Sequence, residues 1–187
     1  AGSTYMDDLQ LYVNPVNCLV YEKDQVEKPC ELYLTIQKNF EIACGKEFKD
    51  NAASFANYHE LVDSPFIASA SLIHHEFNCK GVAFHVWFQG PDSVDDKYIK
   101  DFEKYTHSQI NKFGEFPVKE YHYLYQIQKV KAYHGVEHQA STVCSLGPES
   151  ELFGKLYDDF LGVSSHELYH TWNVKALRPA DWYPYDY

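Results

Sequence analysis

At 187 residues, 45% of them hydrophobic, the chain can bury a real core as one domain or as two small ones. A net charge of −11 with no basic patch argues against nucleic acid as a partner, and no run approaches the ~20 apolar residues of a membrane span. The five cysteines (Cys18, Cys30, Cys44, Cys79 and Cys144) show no C-x-x-C spacing and are odd in number, which argues against a cysteine zinc site and against a complete disulfide framework.

The 16 Tyr, 12 Phe and 3 Trp favour a sheet-rich fold. Residues 9–50 read as β. Leu9, Leu11 and Val13 alternate with polar neighbours, Cys18 to Tyr21 is a short apolar run, and Leu32, Leu34 and Ile36 alternate with Tyr33, Thr35 and Gln37. Residues 51–66 change character: their Ala/Ser-rich start is a loop or a short helix, and Asp63-Ser64-Pro65 ends it, because the residue before proline is pushed out of the α region. This stretch reads as the junction between a β portion, residues 1–57, and a second unit, residues 58–187.

Residues 67–90 read as a hairpin. Ile73, His75 and Phe77 alternate along one strand, Asn78-Cys79-Lys80-Gly81 makes the turn, and Val82, Phe84, Val86 and Phe88 share one face of the return strand, with His85 and Trp87 on the other. His74 and His75 are adjacent, so they face opposite ways and cannot share a metal. Residues 92–113 form the clearest helix, capped by Asp92 or Ser93 and stopped at Gly114. Residues 121–130 alternate strictly, with Tyr121, Tyr123, Tyr125 and Ile127 on one face. The polar opposite face predicts an edge or partly exposed strand. This order of elements is α+β.

Two polar constellations follow. Gly135-Val136-Glu137-His138 sits in a glycine-containing stretch that is either a polar loop or the lining of a cleft. Further on, His166-Glu167-Leu168-Tyr169-His170 is an H-E-x-x-H pentad. On a helix, positions i and i+4 share a face, so His166 and His170 can point two imidazoles at one metal ion, and Glu167 lies within reach of a water on that metal. Two His ligands with a Glu as general base is zinc-peptidase chemistry. Gly162 and Ser164-Ser165 offer a small-residue entry to the helix, and Pro179 marks a stop.

YHELVDSP at 58–65, NKFGEFP at 111–117, GVEHQAST at 135–142 and HELYHTWNVKALRP at 166–179, taken in this order, resemble the glycyl aminopeptidase family of zinc metallopeptidases (peptidase family M61). The resemblance implies a thermolysin-like gluzincin: a β-sandwich-like N-terminal portion, then the sheet-containing N-terminal half of a zincin catalytic domain. It implies zinc as cofactor, peptide as substrate, release of small N-terminal residues such as Gly or Ala, and a soluble protein of bacterial type, cytoplasmic or periplasmic. It also implies that Gly135, Glu137 and His138 line the substrate site and that Glu137 binds the free α-amino group. Val136 stands where related aminopeptidases have Met, and His138 where they have Asn.

A catalytic zinc takes three protein ligands and leaves a position open. The metzincin extension fails, because Asn173 and Ala176 stand where its Gly and third His would be. In gluzincins the third ligand is a Glu on a later helix. No Glu follows Glu167, and Asp181 and Asp186 are the only later carboxylates. The expectation is therefore a third ligand beyond residue 187, and a chain that by itself is inactive and binds zinc weakly. Two other readings stay open: a thermolysin-type endopeptidase, and a non-catalytic binding module with a vestigial pentad.

Overall fold

The computed structural model describes residues 1–182. In chain order the strands are β1 (Tyr5–Met6), β2 (Gln10–Val13), β3 (Cys30–Tyr33), β4 (Glu41–Cys44), β5 (Ala52–Phe55), β6 (Phe66–Ser69), β7 (Ile73–Cys79), β8 (Val82–Gln89), β9 (Glu120–Ile127), β10 (Ala132–Glu137) and β11 (Ser141–Gly147). The α-helices are α1 (Tyr58–Val62), α2 (Ile99–Phe113), α3 (Glu149–Leu152) and α4 (Tyr157–Tyr169). The fold is α+β, as the order of elements predicts.

The larger sheet has the order β10-β11-β9-β8-β7. Its first feature is the β7–β8 hairpin. Lys80 and Gly81 adopt φ 53° and 83°, the left-handed pair that a two-residue turn needs to match the strand twist. That turn sets the register Cys79↔Val82, and hence Glu76↔His85 and His74↔Trp87. Strands β8, β9 and β11 then run parallel, and β10 returns antiparallel along the outer edge.

One face of this sheet carries an aromatic core. Tyr121, Tyr123 and Tyr125 of β9 are fully buried against Phe102 of α2 and Phe160 of α4. Burying each such ring contributes on the order of 1.5–3 kcal/mol. Leu168 and Val163 add to the same core and hold α4 against the sheet. The other face is covered by the smaller sheet, of order β1-β2-β6-β4: Tyr12, Ala43 and Ile67 pack on Trp87, Leu124 and Val143.

That covering corrects the reading of β9. The strand is central, not an edge, and every residue from Tyr121 to Ile127 is buried. Its polar face is hidden because the small sheet lies over it: Gln126 Nε2 donates to Gln10 Oε1 of β2 at 2.9 Å, while His122 accepts from the indole of Trp87 on the neighbouring strand β8.

Other boundaries shift as well. Strand β6 pairs with β2 and β4, so the smaller sheet extends past residue 57 to Ser69. The Ala/Ser-rich run at 52–55 is strand β5, paired with β3, whereas Cys18 to Tyr21 is not a strand. Helix α2 starts at Ile99 after a 3₁₀ turn, Asp96–Tyr98, capped by Asp95 and not by Asp92 or Ser93: the Asp95 side chain accepts from Lys97 N at 2.8 Å. Helix α4 begins at Tyr157, so Gly162 and Ser164 lie inside it. Its N-terminal acids, Asp158 and Asp159, suit the positive end of the helix dipole. The five cysteines are all free.

Candidate metal and peptide site

Helix α4 turns its apolar stripe (Phe160, Val163, Leu168) into the core, which puts His166 and His170 on the outward side, one turn apart. Their Nε2 atoms lie 3.0 Å apart with the rings nearly perpendicular, at 86°. The tautomers follow from what surrounds them. Asn173 leaves the helical region (φ −118°, ψ 96°), and its carbonyl oxygen lies 2.7 Å from His170 Nδ1. A carbonyl only accepts, so Nδ1 carries the proton and Nε2 keeps its lone pair. Metal-ligating histidines are held in this way, with the second ring nitrogen donating to a fixed oxygen.

The segment after α4 is anchored to α2 and the loop beyond it. Trp172 stacks on Phe113 with ring centroids 4.8 Å apart and donates its indole N–H to the Glu115 carbonyl at 2.8 Å. On the other side of the pentad, Gln109 Nε2 donates to the Ser165 carbonyl at 2.8 Å and to its hydroxyl at 2.7 Å. The histidine pair is thus held by contacts on both sides of the pentad.

Glu167 points inward under strand β10. It is 5% exposed, and its Oε2 has no partner. Burial pushes its carboxyl up to about 7, against the opposing pull of His170 and with the added push of the Glu137 charge. Gly135 explains how it fits. A Cβ on residue 135 would stand 2.6 Å from the Glu167 Cδ, closer than real Cβ contacts allow. The absence of a side chain at 135 makes room for the present seat of the Glu167 carboxylate, and its φ is not in the left-handed region.

Glu137 closes the group. One ligand atom from each of Glu137, Glu167 and His170 lies within 4.8 Å of the others. The lone pair of His170 Nε2, the neighbouring Nε2 of His166 and the unpartnered Glu167 oxygen together suit a divalent metal with an adjacent water.

The structure brings Gly135, Glu137, His166, Glu167 and His170 together, while the His138 ring lines the cleft next to Glu137 and is tied to Asp63. His138 is 5% exposed, and its Nδ1 lies 3.3 Å from Asp63 Oδ1. Asp63 also accepts from Gln139 N at 2.7 Å and from Lys175 Nζ at 2.7 Å. Sequence reasoning gave Asp63 and Lys175 no role. Their partners are 75 and 112 residues away, and no local pattern encodes such pairs. Beside them a cleft of about 650 Å³ runs from Glu137 past His138, Lys175 and Arg178 to Lys46 and Glu60. Asp181 lies in a 3₁₀ turn, Ala180–Trp182, and Asp186 lies outside the described residues.

A family model described as the Peptidase M61 N-terminal domain matches residues 1–70, and one described as M61 glycyl aminopeptidase matches residues 159–187. A search of curated proteins finds no match. Among solved structures, an aminopeptidase N family protein from Idiomarina loihiensis is 27% identical with a TM-score of 0.86, the match covering 98% of this chain and 34% of that one. The chain therefore spans about a third of that protein's length. An M1 zinc metallopeptidase from Deinococcus radiodurans shares the fold, at 12% identity and a TM-score of 0.56 over 90% of this chain and 41% of that one. No helix among the described residues is long and apolar enough to cross a membrane. Both ends of the chain are thus matched by models of one peptidase family, M61, the second of them across the end of the helix that bears H-E-x-x-H.

Proposed function

We propose that these residues carry the two histidine ligands, the general base and the substrate anchor of a zinc-dependent aminopeptidase that releases small N-terminal residues, Gly or Ala, from peptides. The observation that supports it best is the convergence of Glu137 and Glu167 on His170 beside an edge strand. Zinc held by His166 and His170 would supply Lewis-acid polarisation of the scissile carbonyl. Glu167, buried with one oxygen free, takes the proton of the attacking water and delivers it to the leaving amine. Glu137 pairs with the substrate ammonium and so fixes cleavage one residue from the N-terminus. The outer edge of β10, with Gly135 at its middle, receives the extended peptide backbone as an added strand. The preference for Gly or Ala rests on the family resemblance.

Hydrolysis of Gly- and Ala-anilides by the full-length protein, with N-acetylated forms as controls, tests this reading. Cleavage of the free amines alone supports it. Cleavage of the acetylated forms would make the protein an endopeptidase, and zinc binding without any turnover would make the pentad vestigial. Glu167→Gln should abolish turnover with zinc retained.

A further inference from the structure

A second cluster of imidazoles lies at the other end of the larger sheet. Hairpin register and the parallel pairing of β8 with β9 put His74, Glu76, His85, Trp87, Glu120 and His122 on one face. This is the face away from α2 and α4, and β7 is the edge opposite β10. His74 stacks flat on Trp87 with centroids 3.7 Å apart, and His85 stacks on His122 at 4.5 Å.

The proton positions can be worked out from the donor-only group at the bottom of the cluster. Trp87 Nε1–H lies 3.2 Å from His122 Nδ1 in a buried contact, so His122 Nδ1 accepts. The His122 proton is then on Nε2, which donates to Glu120 Oε1 at 3.1 Å. The same oxygen lies 3.0 Å from His85 Nε2, and a carboxylate accepts, so His85 also donates from Nε2. His85 is therefore left with its lone pair on Nδ1, which faces His74 Nε2 at 2.9 Å and Glu76 Oε2 at 4.0 Å.

These proton positions distinguish two candidate metal groups of similar geometry. In the group His85, Glu120 and His122, both Nε2 atoms carry protons, so neither has a lone pair to give. In the group His74, Glu76 and His85, the ligand atoms lie within 4.8 Å of one another, and His85 Nδ1 has its lone pair turned into the group. Its other nitrogen donates to a carboxylate, the support that metal-bound histidines commonly have. His74 needs only to move its proton from Nε2 to Nδ1, a change of tautomer. His75 takes no part: it faces the opposite way and meets Asp96 at 2.8 Å.

We propose that His74 Nε2, His85 Nδ1 and the Glu76 carboxylate form a site for a divalent first-row transition metal, Zn²⁺ in the first place, separate from the His166–His170 pair. Two imidazoles and one carboxylate suit that class of ion and leave open positions for water. Glu120, His122 and Trp87 are positioning residues that fix the His85 tautomer. His74 and Glu76 are exposed, so the ion enters directly from solvent. A bound ion ties β7 to β8 and raises the melting temperature with zinc concentration.

The test uses the protein with His166→Ala and His170→Ala, which silences the other site. Zn²⁺ titration followed by calorimetry, with Co²⁺ absorption as the optical readout, should give one equivalent bound. His74→Gln, at an exposed position, should weaken binding at least tenfold, and so should Glu120→Gln, with circular dichroism unchanged. Failure of the His166→Ala/His170→Ala protein to bind either ion would overturn the proposal. So would binding that neither His74→Gln nor Glu76→Gln weakens.

Discussion

The Lys175 ammonium and the Asp63 carboxylate meet at 2.7 Å across 112 residues of chain, joining the exit of the histidine helix to the end of α1. The Lys175 side chain is only 11% exposed. Removing its partner leaves a charge with little water around it, which costs on the order of 3 kcal/mol or more. Asp63→Ala should therefore lower the free energy of unfolding by about that amount in urea titrations. Asp63→Asn, which still accepts from Gln139 N, should cost less.

The same carboxylate gives the fold a defined acid response. Burial would raise the Asp63 pKa, but the His138 hydrogen bond and the Lys175 charge overcome it and hold the carboxyl below its usual range. A folded-state pKa below the unfolded value of ~3.9 means stabilisation that is fully present above that pH and lost as pH falls toward the folded value. The stability difference between the wild type and Asp63→Asn should stay level from neutrality to about pH 5 and shrink below about pH 4. A difference that stays level down to pH 2 would show that the charge state of Asp63 plays no part.

Gly135→Ala places a methyl where the Glu167 carboxylate now sits. Overpacking of this kind costs about 1–3 kcal/mol, and here the carboxylate is the group free to move. The expected result is a modest fall in melting temperature with a loss of kcat of tenfold or more and KM little changed. A fall in stability alone, with kcat intact, would mean that Glu167 does not need its present seat.

Glu137→Gln removes the charge proposed to hold the substrate ammonium. Losing one partner of a charge-assisted contact typically costs 2–5 kcal/mol, so kcat/KM on peptides with a free N-terminus should fall by about 10²-fold. Zinc content and stability should hardly change. If the drop were equal on N-acetylated substrates, Glu137 would be acting on something other than the amino group.

What could be read from the sequence was what repeats over short distances. The β7–β8 hairpin follows from its two-residue turn and its period of two, and the histidine pair follows from a four-residue spacing on a helix. Strand β9 was misplaced because alternation reports polarity and not coverage. His122 and Gln126 look like a wet face until the smaller sheet is laid over them. Asp63 was visible only as a residue before Ser-Pro, yet it joins three segments distant in sequence. The His74–His85 contact was nearly within reach: once Cys79 pairs with Val82, the register puts the two on neighbouring strands of one face.

Trp87 gives the molecule an internal optical gauge. Its ring is buried, has the His74 imidazole flat against it and donates its N–H to His122, so any event that reorients either histidine changes the surroundings of that indole. Trp172 sits on the opposite face of the sheet, beside Phe113 and the helix that carries His166 and His170. Trp182 lines the cleft beside Glu137 and Lys175, so replacing both Trp172 and Trp182 with Phe leaves Trp87 as the emitter at the hairpin end, and replacing Trp87 leaves the emission to the two indoles at the other end, which lets each end be followed independently during a titration.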